Sequence, residues 1–314
     1  MRAETLPRPS NATATGVLCG IGAGALWGLV FLAPELARAF TPLQLTIGRY
    51  LAYGLIAAAL LAPRWRSVVS HLGRREWLML GLLALTGNTL YYVLLSTAVQ
   101  TGGIAMTSLV IGFLPVAVTL IGSRDHGATP LNRLMPSLML CIAAAVCVGW
   151  QALAAPAAMG FNTRILAFAC AVGALVSWTA YAVWNARALA RLDRVSSHDW
   201  SLLIGVVTGA QSLLLIPVVL LTESLSYPPA AWAQFAAVSI GVAVFASIVG
   251  NGLWNRMCRL LPLTLVGQMV LFETLFALLY AFTWEQRLPT LLECTAFLLI
   301  VLSVITGLRA HRPA

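Results

Sequence analysis

The chain has 314 residues, of which 60% are hydrophobic and 9% charged, with a mean hydropathy of +0.88. A soluble domain carries roughly 25% charged residues, so the composition excludes a water-soluble globular fold. The formal charge of +9 rests on 19 basic residues, every one an arginine; the lack of lysine excludes a Walker A ATPase and Schiff-base chemistry.

Apolar runs of about 20 residues, enough to cross ~30 Å of hydrocarbon as helix, recur along the whole chain. Lipid offers the backbone no partner, so spans are helices or closed barrels, and the alternation of barrel strands is absent. The pattern predicts ten transmembrane helices, over 16–37, 42–62, 77–99, 102–122, 132–151, 164–186, 200–221, 232–257, 262–283 and 289–308. The polar start MRAETLPRPSNATAT has no cleavage pattern, so the first helix is expected to be retained.

In chain order, helix 1 carries the glycine-rich GIGAGALWG with Trp27, and Glu35 near its end. Helix 2 opens TPLQLTIGRY and holds Arg49 about seven residues inside. An intramembrane charge costs ~2.5 kcal/mol or more, and the similar depths of Glu35 and Arg49 predict a structural ion pair, with carboxylate recognition by Arg49 the competing reading. Helix 3 contains GNTLYY (87–92), and Pro115 lies in helix 4. Helix 6 carries Trp178 and Tyr181 one turn apart, and helix 8 contains GNGLWN (250–255). Helix 9 holds Glu273, the deepest carboxylate. Six tryptophans, Trp65, Trp77, Trp150, Trp200, Trp232 and Trp284, fall at span ends, as an aromatic belt requires; Trp27, Trp178, Trp184 and Trp254 fall further inside. The six cysteines read as inert small residues of the core.

Arginine placement gives an orientation. With the N-terminus inside, fifteen arginines fall on the cytoplasmic side; Arg38, Arg164 and Arg287 fall opposite. That bias predicts both termini in the cytoplasm.

GNTLYY and GNGLWN belong to a longer self-similarity. Gly24-Ala25-Leu26 matches Gly173-Ala174-Leu175, and Pro136, Leu138, Cys141 and Ala143 match Pro289, Leu291, Cys294 and Ala296. The matches define an N-terminal tail (1–15), a first five-helix repeat (16–151), a linker (152–163), a second repeat (164–308) and a tail (309–314). Five is odd, so the second repeat enters the membrane from the opposite side. Inverted repeats mark secondary transporters, whose substrates bind near the midplane between repeats.

TPLQLTIGRYLAYGLIAA (41–58) resembles the second helix of the drug/metabolite transporter superfamily, and VLFETLFALLYAFTWEQRL (270–288) resembles the signature of its EamA-type members, with Thr274 where the family has proline. The resemblance spans nearly the whole chain. It implies an all-α, ten-helix, inverted-repeat transporter of the bacterial inner membrane, working without a cofactor. WNARALAR and GNGLWNRMCRLL most resemble bacterial exporters of aromatic amino acids; the alternatives are a multidrug or other metabolite exporter of the same superfamily and, more remotely, a membrane-embedded enzyme or a channel. The resemblance also implies a central cavity among helices 1, 3, 4, 6, 8 and 9.

Asn88, Tyr91 and Tyr92 share a helical face, being three and four residues apart; Asn251, Trp254 and Asn255 repeat the spacing. Asn88 lies roughly 16 Å along its span at 1.5 Å per residue, near the midplane. These six, with Trp27, Trp178, Tyr181 and Glu273, are the candidate cavity residues. The rings suit stacking on an aromatic or apolar substrate, and Glu273 suits a substrate ammonium or a coupling proton; helix packing is the alternative for each. No catalytic motif or metal-ligand spacing appears, and the arginines at loop ends do not read as a nucleic-acid surface. The expected partners are a small-molecule substrate, amino acids first, and the lipid bilayer.

Overall fold

The computed structural model describes residues 9–124, 129–154, 161–192, 194–286 and 288–310, and their regular structure is entirely helical. Arg2, Arg8, Arg287 and Arg312, with 155–160 of the expected linker and 311–314 of the tail, lie outside the described residues.

The first two helices are α1 (Pro9–Leu36) and α2 (Pro42–Leu61), followed by a 3-10 turn and the short α3 (Trp65–Val69). Next come α4 (Arg74–Ala84), a π-helical turn (Leu85–Thr89), α5 (Leu90–Ile111), α6 (Leu114–Gly122) and α7 (Leu131–Ala154). The remainder is α8 (Phe161–Leu189), α9 (Ser197–Thr222), α10 (Pro229–Val242), a π-helical segment (Ala243–Gly250), α11 (Asn251–Leu260), α12 (Leu263–Met269), α13 (Leu271–Glu285) and α14 (Leu291–Ala310). Among the described residues seven helical stretches are long and apolar enough to cross a membrane, and Leu131–Cys147 and Leu291–Gly307 are shorter apolar helices. Helix persists across 100–101, where a loop is expected, and the expected eighth helix runs on to Leu260.

Local chemistry sets the helix starts. Thr41 caps α2 in a capping box: its Oγ1 accepts from Gln44 N at 3.2 Å while its own N–H donates to Gln44 Oε1 at 3.0 Å, satisfying two orphan donors. Ser196 accepts from Asp199 N to open α9.

Apolar side chains gain little by leaving lipid for one another, so transmembrane helices associate through small residues that let backbones approach. That is how this bundle is joined. A Cβ on Gly24 of α1 would lie 2.8 Å from Glu273 N of α13, and one on Gly54 of α2 would lie 2.6 Å from Gly209 Cα of α9. A Cβ on Gly267 of α12 would lie 2.6 Å from Thr119 Oγ1 of α6. Hydroxyls add specificity: Ser137 of α7 and Ser303 of α14 each donate to the other's carbonyl, at 2.8 and 2.7 Å.

Contacts at the helix ends define two poles. At one, Gly16 abuts Leu261, Gly122 abuts Leu263 and Arg259 donates to Val195 O. At the other, Gln100 donates to Phe40 O at 3.0 Å and Phe40 packs on Tyr227, Trp232 and Phe235. Trp200, a belt residue by its sequence position, is fully buried instead, because its indole donates to Asn185 Oδ1 at 3.0 Å. Cys294 is exposed and Cys147 partly so, unlike the four other, buried cysteines.

Candidate functional site

Both copies of the repeated hexapeptide fall where a π-helical segment returns to α-helix. In the first, Leu90 N donates to Leu85 O, and in the second Asn251 N donates to Ala246 O, each five residues back. A π turn widens the helix and occurs frequently at functional sites. Here a carbonyl of each π segment takes a side-chain donor from another helix. Ser177 Oγ of α8 donates to Thr86 O at 2.7 Å, and Trp27 Nε1 of α1 donates to Ala246 O at 3.0 Å.

The glycines of the two copies explain themselves sterically. A Cβ on Gly87 would stand 2.3 Å from Tyr181 Cδ2, and one on Gly250 would stand 2.9 Å from Trp27 Nε1. The asparagines reach across the bundle: Asn88 donates to Thr208 Oγ1 at 3.2 Å, while Asn251 accepts from Trp27 Nε1 at 3.2 Å and approaches Tyr53 OH at 3.5 Å.

Between these turns lies a narrow central cavity with about 370 Å³ of empty space, little of it wide enough to centre a water molecule. Seven of the ten candidate residues line it: Trp27, Asn88, Tyr91, Trp178, Tyr181, Asn251 and Glu273. The other three stand behind the wall. Trp254 packs at 5.0 Å from Trp27 and 5.1 Å from Trp178, while those two meet edge-on at 5.6 Å. Tyr92 backs Arg49, and Asn255 accepts from Asn185 Nδ2 at 2.6 Å.

The expected Glu35–Arg49 pair does not form. Glu35 binds Arg38, three residues on, at 3.2 Å: the i,i+3 spacing puts those two on one face of the chain. Arg49 turns inward and lines the cavity. Its guanidinium lies 4.9 Å from the Tyr50 ring centre and 4.5 Å from that of Tyr92, within cation–π range. Nε donates to Ser247 Oγ at 3.2 Å, whereas the buried Nη1 has no hydrogen-bond acceptor among the described residues. Trp184, placed inside by sequence depth, is 38% exposed.

Of the two readings of Arg49, the structure favours the one that turns it toward the cavity; Tyr50, which also lines it, and Tyr53, Thr208 and Ser177, which partner the repeated segments, are absent from the sequence reading. An arginine inside a span was itself the signal for the first; the others are common residues whose role comes only from the neighbour across the bundle. Among the described residues no three His, Cys, Asp or Glu side chains converge to hold a metal.

A helical bundle joined by glycines around a polar-and-aromatic cavity at depth is the architecture of a membrane transporter. The chain belongs to the EamA-like transporter family, whose model matches residues 14–150 and again 165–308. It is a multi-pass bacterial inner-membrane protein that transports small solutes. It is 31% identical to the inner membrane protein YtfF of Escherichia coli (strain K12), over 94% of this chain and 95% of that one. A protein of known crystal structure shares the fold with a TM-score of 0.73 and 22% identity, over 95% of this chain and 98% of the other.

Proposed function

We infer that this transporter exports amino acids, aromatic or neutral, by alternating access around the central cavity. One observation carries the reading. A guanidinium with an unpartnered Nη1 and the buried carboxylate of Glu273 line the same aromatic-walled space. A zwitterion meets both needs, its carboxylate at Arg49 and its ammonium at Glu273, while Trp27, Tyr91, Trp178 and Tyr181 take the side chain. Buried donors left unpaired cost about 1–3 kcal/mol, more when charged, so a ligand that pairs them is favoured over one that does not. The cavity is narrow, so admission of an indole requires α1 and α8 to part.

The architecture proposed with this function is ten crossings in two inverted repeats, 16–151 and 164–308, with both termini cytoplasmic. Helix-end contacts support it. Trp77 packs on Trp65 near one pole, Gln100 reaches Phe40 at the other, and Gly122 lies back beside Leu263. Gly16 and Gly307 lie toward the same pole, against Leu261 and Gln268 respectively, which agrees with arginines crowding that side.

The test is efflux from proteoliposomes loaded in turn with Trp, Phe, Thr and a cationic drug. Trp and Phe should leave faster than from empty-bilayer controls, and Arg49→Gln should lower their flux at least tenfold. Drug efflux without amino-acid efflux, or an Arg49→Gln variant that transports normally, would overturn the reading.

A further inference from the structure

A second concavity lies at the arginine-rich pole, between the start of α4 and the end of α8, with about 890 Å³ of empty space. Arg75, Arg187 and Arg191 line it, with Trp184, Met79 and a single carboxylate, Glu76. Glu76 is already engaged, its Oε2 accepting from Gly73 N at 2.8 Å in the α4 cap. Among the described residues neither Arg75 nor Arg191 pairs with a carboxylate. Arg75 and Arg191, two guanidiniums without a carboxylate partner beside one engaged carboxylate, make this a site for an anion.

Its surroundings say which anion. Beyond the pocket, the exposed leucines Leu78 and Leu82 (62% and 46%) lie on α4, Leu85 (41%) opens the π-helical turn that follows, and Val176 (63%) lies on α8. These side chains face lipid in a membrane protein; Leu78 lies beside Met79 of the pocket lining, and the others lie further along the same two helical stretches. Trp184 at the rim and the Trp65–Trp77 pair, 6.4 Å apart, carry indoles to the same pole, the depth at which amphipathic rings sit among headgroups. We propose that this pocket binds the phosphate headgroup of an anionic phospholipid, its acyl chains lying in the furrow between α4 and α8. Arginine is the residue for the task, because its planar fork meets two phosphate oxygens at once, and basic pockets between transmembrane helices are known headgroup sites. Trp184 at the rim is one helical turn beyond Tyr181 on α8, and Arg187 and Arg191 lie about two and three turns beyond, so a bound headgroup ties that end of α8 to α4.

The experiment is native mass spectrometry of the full chain from detergent, titrated with short-chain phosphatidylglycerol, with phosphatidylcholine of the same chains, and with inorganic phosphate. The expected result is one retained phosphatidylglycerol, bound at least tenfold more tightly than phosphatidylcholine. The double variant Arg75→Gln/Arg191→Gln should lose that preference while amino-acid flux in a neutral bilayer persists. Equal retention of the two lipids overturns the proposal. So does competition by millimolar inorganic phosphate or by the transported amino acid, since either assigns the arginines to a soluble anion. The lipid preference of the unaltered chain is read without any variant, so a misfolded double variant leaves the test intact, and it is independent of which solute is carried.

Discussion

GNTLYY and GNGLWN use one backbone device for two chemistries. Each overlaps the end of a π segment, one of whose carbonyls takes a side-chain donor from a helix of the other matched segment, Ser177 for Thr86 and Trp27 for Ala246. Each glycine receives an aromatic ring, and each asparagine faces the central crossing of α2 and α9, where Gly54 meets Gly209. The partners there, Tyr53 and Thr208, each precede their crossing glycine by one residue. The difference lies five residues before the same glycines, where one copy has Arg49 and the other Ile204. The duplicated parts thus build a symmetric frame, and a charge present in one segment alone gives the cavity a direction. A symmetric pocket has no preferred end for an anionic group; this one carries its guanidinium on one side alone.

The frame is broken most severely at its glycines. Gly87→Ala places a Cβ against Tyr181 Cδ2 and Cγ, at 2.3 and 2.4 Å, close to the root of a ring that cannot swing away. Gly250→Ala meets Trp27 at 2.9 Å or more. Overpacking costs typically 1–3 kcal/mol, and the first variant belongs near the top of that range, the second near the bottom. Thermal unfolding in detergent should rank Gly87→Ala clearly lower, and equal midpoints would contradict the geometry. The next effect is in the side-chain donors. Trp27→Phe removes bonds to Ala246 O and Asn251 Oδ1 together, an expected loss of about 1–2 kcal/mol. Ser177→Ala removes one bond, for which ~0.6 kcal/mol is typical between transmembrane helices. A larger effect at Ser177 in the same assay would show that the first turn, not the second, depends on its cap.

The sequence made the frame readable and concealed the polarity. Asn88 and Tyr91, and Asn251 beside Trp254, are apparent because amide and ring recur at helical spacing in a chain with few polar residues. The π turns are not apparent: one extra residue per turn leaves no mark on composition or periodicity. Arg49 was visible as a buried charge but was given the wrong partner. Equal depth in neighbouring helices suggested Glu35, whereas helical phase decides direction, and Arg38 is nearer on the same chain. Thr208, Ser177 and Ser247 carry no signal at all, since a hydroxyl in a transmembrane helix is as often bonded to its own backbone, as Thr208 also is to Ile204 O at 2.7 Å.

The finest distinction is between the two asparagine bonds. Asn88 Nδ2 to Thr208 Oγ1 is 3.2 Å, a normal hydrogen bond, whereas Asn251 Nδ2 to Tyr53 OH is 3.5 Å, at the edge of what counts as one. Tyr53 is anchored independently, its hydroxyl donating to Ser201 O at 2.8 Å, so its place does not depend on Asn251. A double-mutant cycle over Asn88→Ala and Thr208→Val should therefore return a coupling of ~0.6 kcal/mol, the usual value for such a bond in a bundle. The cycle over Asn251→Ala and Tyr53→Phe should return nearly none. The reverse order would mean that Asn251 is held by Tyr53 rather than by Trp27, and that the indole is then free to turn toward a substrate without unlocking the second π turn.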